Sequence, residues 1–395
     1  MLIWCICPVF SSVSNGLGLY DGVSTTIAQS VTWWLPYFLG RIYLNSISAM
    51  RQLAIGVFIG GLAYVPLCLF EIRMSPQLHS IFYGAHAFGD FGQSIRYDGF
   101  RPTVFLRHGL AVGGWMMVAT LVGIWLWQTG AIKKLWNIHI KWLVAALFVT
   151  FVLCKSTGAY VLLLLSVTIM FLGKLFRTAL PLFLLIATMG AYLYINAATE
   201  TYFTDQLVAS LSGIFDADRI QSLEFRFNNE ELLTDHARER PVFGWAGWGR
   251  SRAVDPQTGK DAIQDSLWII AFGQYGALGL IAWIVSMSLP VLSLFSLRYP
   301  ASLWYRRDIG TAAVLAVALT MYTFDCLLNA MINPIYILAG GGISGIVVQN
   351  RVPQKSRRRP QSSKQMPQSS KQIPQNARRT YASSGRYLPA HRRSS

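Results

Sequence analysis

The feature that most constrains this chain is a series of apolar runs, at roughly 1–12, 28–44, 52–70, 109–127, 138–154, 157–173, 178–196, 266–288, 309–325 and 331–349. At about 1.5 Å per residue, a helix of about 20 residues crosses a hydrocarbon core of about 30 Å, and most of these runs approach that length. Two are weaker. The first is short and lacks the basic n-region of a signal peptide, so it reads either as the remainder of a longer helix or as a late start. The second, VTWWLPYFLGRIYL, is interrupted by Pro36 and Arg41. Only 13% of the residues are charged, against about 25% in a soluble protein, which excludes a soluble α/β domain. The expected fold class is an all-α polytopic membrane protein with about ten transmembrane helices.

Charge divides the chain further. Residues 351–395 hold twelve Lys/Arg and no acid, and include the tandem PQSSKQM, PQSSKQI. A stretch of this composition cannot bury a core and is expected to be a disordered basic tail. Anchoring to anionic lipid explains its charge more simply than specific nucleic-acid binding does. With the tail in the cytoplasm, Arg51, Lys133, Lys134, Lys174, Arg177, Arg298, Arg306 and Arg307 all fall on the cytoplasmic side too, the asymmetry of the positive-inside rule. The membrane domain is then 1–350, with two extracytoplasmic segments, 71–108 and 197–265. The five cysteines lie in or beside apolar runs without metal-ligand spacing, and read as small buried hydrophobes rather than disulfides.

Segment 71–108 carries Arg73, Arg96, Arg101 and Arg107 on the side where arginines are normally scarce. Either charge rules fade over a longer loop, or these groups face an anionic ligand. Loop 197–265 holds twelve of the eighteen acids and is too long for a structureless connection, so it predicts a helical cap. Asp218 is placed to cap a helix starting near Arg219, with Ile220, Leu223 and Phe227 as its apolar stripe. DAD at 216–218 reads as that helix start rather than as a metal-binding pair. Pro241 ends the polar helical stretch, and RPVFGWAGWGR follows at 240–250. There Trp245 and Trp248 suit a headgroup layer or a sugar face, and Arg240 and Arg250 offer forked donors. An interfacial anchor loop has the same composition.

FRPTVFLRHG at 100–109, CKSTGAY at 154–160 and the cap, closed by QDSLW at 264–268, converge on the extracytoplasmic face. Cations at several span ends, with a carboxylate at Asp265, form a sensible site for a diphosphate-linked lipid. Arginine chelates phosphate oxygens through paired donors. A leaving diphosphate gains negative charge that such groups stabilise in the transition state.

Four stretches carry a resemblance to a known group: FRPTVFLRHGLAVGGWM, KSTGAYVLLLL, RFNNEELLTDHARERPVFGWAGWGR and DSLWIIAFGQYGALGL, spanning about residues 95–290. Together they resemble the O-antigen ligase and polymerase family of polytopic membrane glycosyltransferases, with a GT-C-like architecture of helices under a large extracytoplasmic helical cap loop. The resemblance implies an enzyme of the bacterial inner (cytoplasmic) membrane, active in O-antigen or exopolysaccharide biosynthesis. Its partners would be an undecaprenyl-diphosphate-linked glycan donor, a glycan acceptor, and a chain-length regulator or flippase. It calls for no cofactor and no metal. Arg226 matches the family's large-loop arginine, expected on the donor diphosphate. Arg107 and His108 match the polar positions before the fourth run, and Lys155, Ser156 and Gly158 the short outer turn. Asp265–Ser266 departs from the pattern of relatives that transfer glycan to lipid A core, which commonly have His there. The departure favours a polymerase over a ligase and leaves a carboxylate able to act as base.

The expected site is thus Asp265 and His108 as catalytic groups, with Arg107, Arg226, Lys155, Arg240 and Arg250 holding the diphosphate. Each has a plainer reading. Arg226 stands four residues before Glu230, the spacing of a surface helix pair. Asp265 is placed to cap the next helix, and Lys155 to snorkel to the interface. Asp325 and Asn329, near the end of the ninth run, are secondary cavity candidates. A polysaccharide or lipid transporter is the rival class, marked by broken helices and internal repeats.

Overall fold

The structure, a computed structural model, describes residues 1–87, 91–96, 98–199, 208–210, 212–213, 217–254 and 259–349. The basic tail and Asp216 of the DAD stretch lie outside the described residues.

The chain is an all-α bundle. In order come α1 (Leu2–Ser14), α2 (Leu19–Gln29), a π-helical turn (Ser30–Trp34), α3 (Leu35–Tyr43), α4 (Ile47–Met74) and the short α5 (Leu78–Tyr83). Then follow α6 (Gly109–Gln128), α7 (Ile140–Leu153), α8 (Thr157–Phe176), α9 (Leu180–Ala198), α10 (Ala217–Arg238), α11 (Leu267–Leu297), α12 (Gly310–Asp325) and α13 (Pro334–Gln349). Two-residue hairpins at 95–100 and 134–139 are the strand pairs among the described residues. The cap helix α10 begins at Ala217, so Asp218 lies in its first turn rather than at the cap position.

Five helices, α4, α6, α8, α9 and α11, are long and apolar enough to cross a membrane; α1, α7, α12 and α13 are apolar but shorter. The second run is helical throughout, passing from α2 through the π turn into α3, with the π turn falling just before Pro36. The outer surface of the bundle is itself apolar. Leu164 on α8, Leu184 on α9 and Ile281 on α11 are all exposed, an arrangement suited to lipid rather than water.

Small residues bring the helices together. Between α4 and α6, Gly61 meets Ala119 and Gly123 meets Phe58. Between α3 and α13 the backbones themselves touch: a β-carbon on Gly341 would lie 1.9 Å from the Tyr37 carbonyl oxygen, and one on Gly40 2.0 Å from that of Leu338. Gly341 and Gly345 are one turn apart, the small-xxx-small spacing of close helix pairs in lipid.

The loops sort to two ends. At one, Arg51 Nη2 donates to the Ala131 carbonyl (2.8 Å), Arg298 Nη2 to that of Val347 (3.1 Å), and Lys174 lies over the Tyr305 ring. These are basic residues that the charge pattern grouped together. At the other end gather 71–108, 154–156, the loop carrying α10, and 326–333; this is the cap end.

Candidate functional site

A buried carboxylate builds one wall of the cap end. Glu71, in the last turn of α4 and fully buried, accepts backbone N–H bonds from Leu78 (2.9 Å), Thr103 (2.8 Å) and Val104 (2.7 Å). That clamp holds Leu78, Thr103 and Val104 against the end of α4 and presents Arg101. Arg101 is 3% exposed. It packs against Gly109 at the start of α6 and reaches Ser156 Oγ at 3.3 Å. Lys155, held at φ 52°, donates from Nζ to the Arg96 carbonyl (3.1 Å). It ties the 154–156 turn to the hairpin instead of extending along a lipid interface.

His108 caps α6, its Nδ1 accepting from Leu110 N at 3.0 Å. Burial, then the positive charges of Arg101, Arg226 and Arg96, push its pKa down to about 4, so the imidazole is neutral at pH 7 and three arginines surround it.

The opposite wall comes from α10 and the start of α11. Arg226 donates from Nη1 toward the Leu328 carbonyl (3.4 Å) and Asn329 Oδ1 (3.5 Å), and Asn329 Nδ2 donates to Asp325 Oδ1 (2.8 Å). It makes no pair with Glu230. Glu230 is buried, accepts the Tyr192 hydroxyl, and shares a small pocket with Arg226, Asn229, Ile263 and Asp265. Helix α11 is capped at Ser266, so Asp265 stands one residue outside the capping position and faces that pocket. Burial raises its carboxyl above the ordinary range, and Arg226 draws it partly back. Beneath lies a mostly apolar cavity of about 340 Å³, lined by Tyr64, Leu110, Trp115, Leu162, Tyr322 and Tyr336 among others, with Asp325 on its wall. The Asp325–Asn329 pair therefore connects this cavity to Arg226.

The glycine turn has a different job from the one its composition implies. Helix α11 is broken at Gly276 (φ 64°, ψ −163°). The turn fills the break: Trp245 N donates to the Gly273 carbonyl (2.8 Å), Ala246 N to that of Gln274 (3.0 Å), and Ala277 N to that of Pro241 (2.7 Å). Each backbone group freed by a helix break needs a partner, and the turn supplies them. Asn15 Nδ2 fastens the turn to α1 through the Gly244 carbonyl (2.8 Å). Trp245 is packed against His236 (4.5 Å, 11° between planes) and Arg240 (4.5 Å), while Trp248 is 81% exposed.

Of the residues expected in the site, the structure brings Arg226 and Asp265 into one pocket, and places His108 in a second one within electrostatic reach of Arg226. Arg107 is exposed, whereas Arg101 of the same stretch is buried beside His108. Arg240 stacks on Trp245, and Arg250 is exposed, its carbonyl accepting from His236 Nε2 at 2.9 Å. In the sequence Arg101 is one arginine among several, and Glu230 has only the spacing of an alternative surface partner for Arg226. The FRPT context gives no sign of direction, but Glu230 lies one turn from Phe227 and Leu233 on the buried side of α10.

Glu230 yields a testable pH dependence. Its pKa is raised by burial from the usual 4.5 to about 7, with the Tyr192 hydrogen bond acting in opposition. A raised folded-state value means that its contribution to stability is fully present below pH 4.5 and is lost as pH rises through about 7. His108, with a depressed value, acts oppositely: its contribution is present above pH 6.5 and is lost as pH falls through about 4. Thermal melts of wild type and Glu230→Gln between pH 4.5 and 8 are expected to diverge, with the variant losing the decline on the alkaline side. Parallel curves would count against a buried titrating Glu230.

No family model, no curated protein and no solved structure matches this chain.

Proposed function

We propose that the chain is an inverting membrane glycosyltransferase that transfers or polymerises undecaprenyl-diphosphate-linked oligosaccharide at the outer face of a bacterial inner membrane. In this reading about ten helical segments cross, in a GT-C-like arrangement, the cap end is extracytoplasmic and the basic tail is cytoplasmic. The observation that carries it is the position of Arg226, between a carboxylate-bearing pocket in the cap and an apolar cavity among the helices. The cavity suits a polyprenyl chain, Arg226 the diphosphate, and the pocket the reacting sugars. Arg101 and His108 line a neighbouring small pocket, with His108 within electrostatic reach of Arg226.

The step is a single displacement. An acceptor hydroxyl oxygen bonds to the anomeric carbon of the donor while the bond from that carbon to the diphosphate oxygen breaks. The hydroxyl proton passes to Asp265, and the polyprenyl diphosphate leaves with its new charge against Arg226. His108, neutral and weakly basic, orients the acceptor and does not take the proton. A carboxylate whose pKa is raised by burial is a stronger base than an ordinary one. The cations that balance the leaving group are side chains, so the reaction runs without a metal ion.

The transporter reading has one observation in its favour, the break in α11, since discontinuous helices mark many transporters. There the freed backbone groups serve the substrate; here residues 241–246 already occupy them. Product chemistry distinguishes the classes. The purified chain in lipid vesicles, given a lipid-linked repeat unit and EDTA, is expected to lengthen the lipid-linked glycan, the polymerase outcome. Transfer to a second lipid carrier would make it a ligase, and translocation without new glycosidic bonds would make it a transporter. Asp265→Asn is expected to slow bond formation by roughly 10²- to 10⁴-fold. An unaffected rate would remove Asp265 as base, and inhibition by EDTA would remove the metal-free mechanism.

A further inference from the structure

We propose that Cys68 and Cys154 are joined by a disulfide, a covalent staple between α4 and α7 at the cap end. The register of the two helices carries the inference. They run parallel: Phe58 of α4 and Val144 of α7 meet at the same point, Gly123 of α6, and Leu147 approaches Gly61. In each pair the numbers differ by 86, so the helices are in register over this stretch. Seven residues past Gly61 and Leu147, two helical turns on and on the same faces, stand Cys68 and Cys154. In a parallel, in-register pair, residues at this repeat stand at the same level of the two helices, the first requirement for a disulfide between them. The structure has both as free thiols, wholly buried, and near enough that each acts electrostatically on the other. Cys154 is the C-cap of α7, one residue past its last helical residue Leu153, where the backbone can adjust to the bond.

The staple sits at the root of both parts of the cap-end wall. Three residues past Cys68 is Glu71, which clamps Leu78, Thr103 and Val104. Directly after Cys154 come Lys155 and Ser156, which hold the Arg96 carbonyl and the Arg101 guanidinium. Fixing α4 to α7 at this level fixes the placement of Arg101. The proposal takes from the proposed function only the compartment: the cap end faces an oxidising space, where disulfides persist. In forming the bond the two thiols give up two protons and two electrons. A disulfide-carrying oxidant of that compartment accepts them and leaves as two thiols. The exchange takes place before the helices close over the sulfurs.

The test uses the full chain in its native membrane. Cells are lysed under denaturing conditions in N-ethylmaleimide without reductant, and the digest is read by mass spectrometry. The peptides containing Cys68 and Cys154 are expected as one species, lighter than the two free peptides by two hydrogens, while Cys5, Cys7 and Cys326 carry maleimide. In Cys68→Ser, Cys154 becomes labelled, and the converse holds. Reductant lowers the melting temperature of the wild type and leaves that of Cys68→Ser unchanged. Maleimide on both wild-type residues without reductant overturns the proposal. A parallel arm probes Trp248→Cys in intact cells with a membrane-impermeant maleimide. Labelling there together with free Cys68 and Cys154 means that the staple alone is wrong. An unlabelled, intact variant means that the orientation is wrong, and with it the proposed function.

Discussion

Replacing Arg226 with alanine is expected to lower glycan transfer by roughly 10²- to 10³-fold, the loss seen when one preorganised donor to a developing negative charge is removed. The folded protein should hardly notice. In the unliganded chain Arg226 makes only long contacts, 3.4 Å to the Leu328 carbonyl and 3.5 Å to Asn329, so its removal costs about 1 kcal/mol or less. The predicted signature is a fall in kcat with an unchanged melting temperature. Arg226→Lys should recover little, because a single ammonium cannot replace two parallel donors to a diphosphate. Arg107→Ala is the informative companion: Arg107 is exposed and outside the pocket, so its loss should change the rate far less than that of Arg226. Equal rates for wild type and Arg226→Ala in reconstituted vesicles would remove the diphosphate assignment. A lowered melting temperature would mean that the residue is structural.

Gly276→Ala should destabilise the chain strongly, through backbone conformation and collision together. Gly276 sits at φ 64°, ψ −163°, a region that only glycine adopts without strain of about 1–3 kcal/mol. An added β-carbon would also lie 2.3 Å from the Val242 carbonyl oxygen and 2.6 Å from Phe243 N. Both are backbone atoms of the docked turn and have nowhere to move. Undocking the turn leaves the amides and carbonyls at the break unpaired in an apolar surrounding, where each costs a few kcal/mol. Gly244→Ala should act from the other side, since its β-carbon would meet the Gln274 backbone at 2.5 Å. Gly114→Ala is the matched control: Gly114 is helical with open space beside it, and the change should be neutral or slightly stabilising. Melting of the solubilised protein, with protease cleavage of the 240–265 loop as a second readout, separates these outcomes. Equal stability of Gly276→Ala and Gly114→Ala would contradict the docked turn.

The apolar runs located the helices because a span announces itself by length and composition, whatever its neighbours do. The pairing of basic connections at one end was equally legible, since charge asymmetry is a property of the chain. What escaped was direction. Arg101 and Arg107 sit six residues apart in one polar stretch, and only the Glu71 clamp turns the first inward. Arg226 and Glu230 have the spacing of an ion pair, yet Glu230 turns to Tyr192 on α9 and Arg226 to Asn329, partners far away in sequence. A one-residue difference in where α11 begins decides whether Asp265 caps a helix or faces a pocket, and helix boundaries are the least certain feature of a sequence reading. The broken helix was hidden because its run, DSLWIIAFGQYGALGL, stays apolar throughout. A glycine inside it is as ordinary in a straight membrane helix as in a broken one.

The glycine seam between α3 and α13 has a consequence for traffic. Where the Tyr37 and Gly341 backbones touch, no acyl tail or isoprenoid can slide between the two helices, and that flank is sealed. On the proposed function, a lipid-borne substrate would reach Arg226 by some other gap in the bundle. Parting α3 from α13 would break a contact in which no flexible side chain is available to give way, so the gate must lie elsewhere.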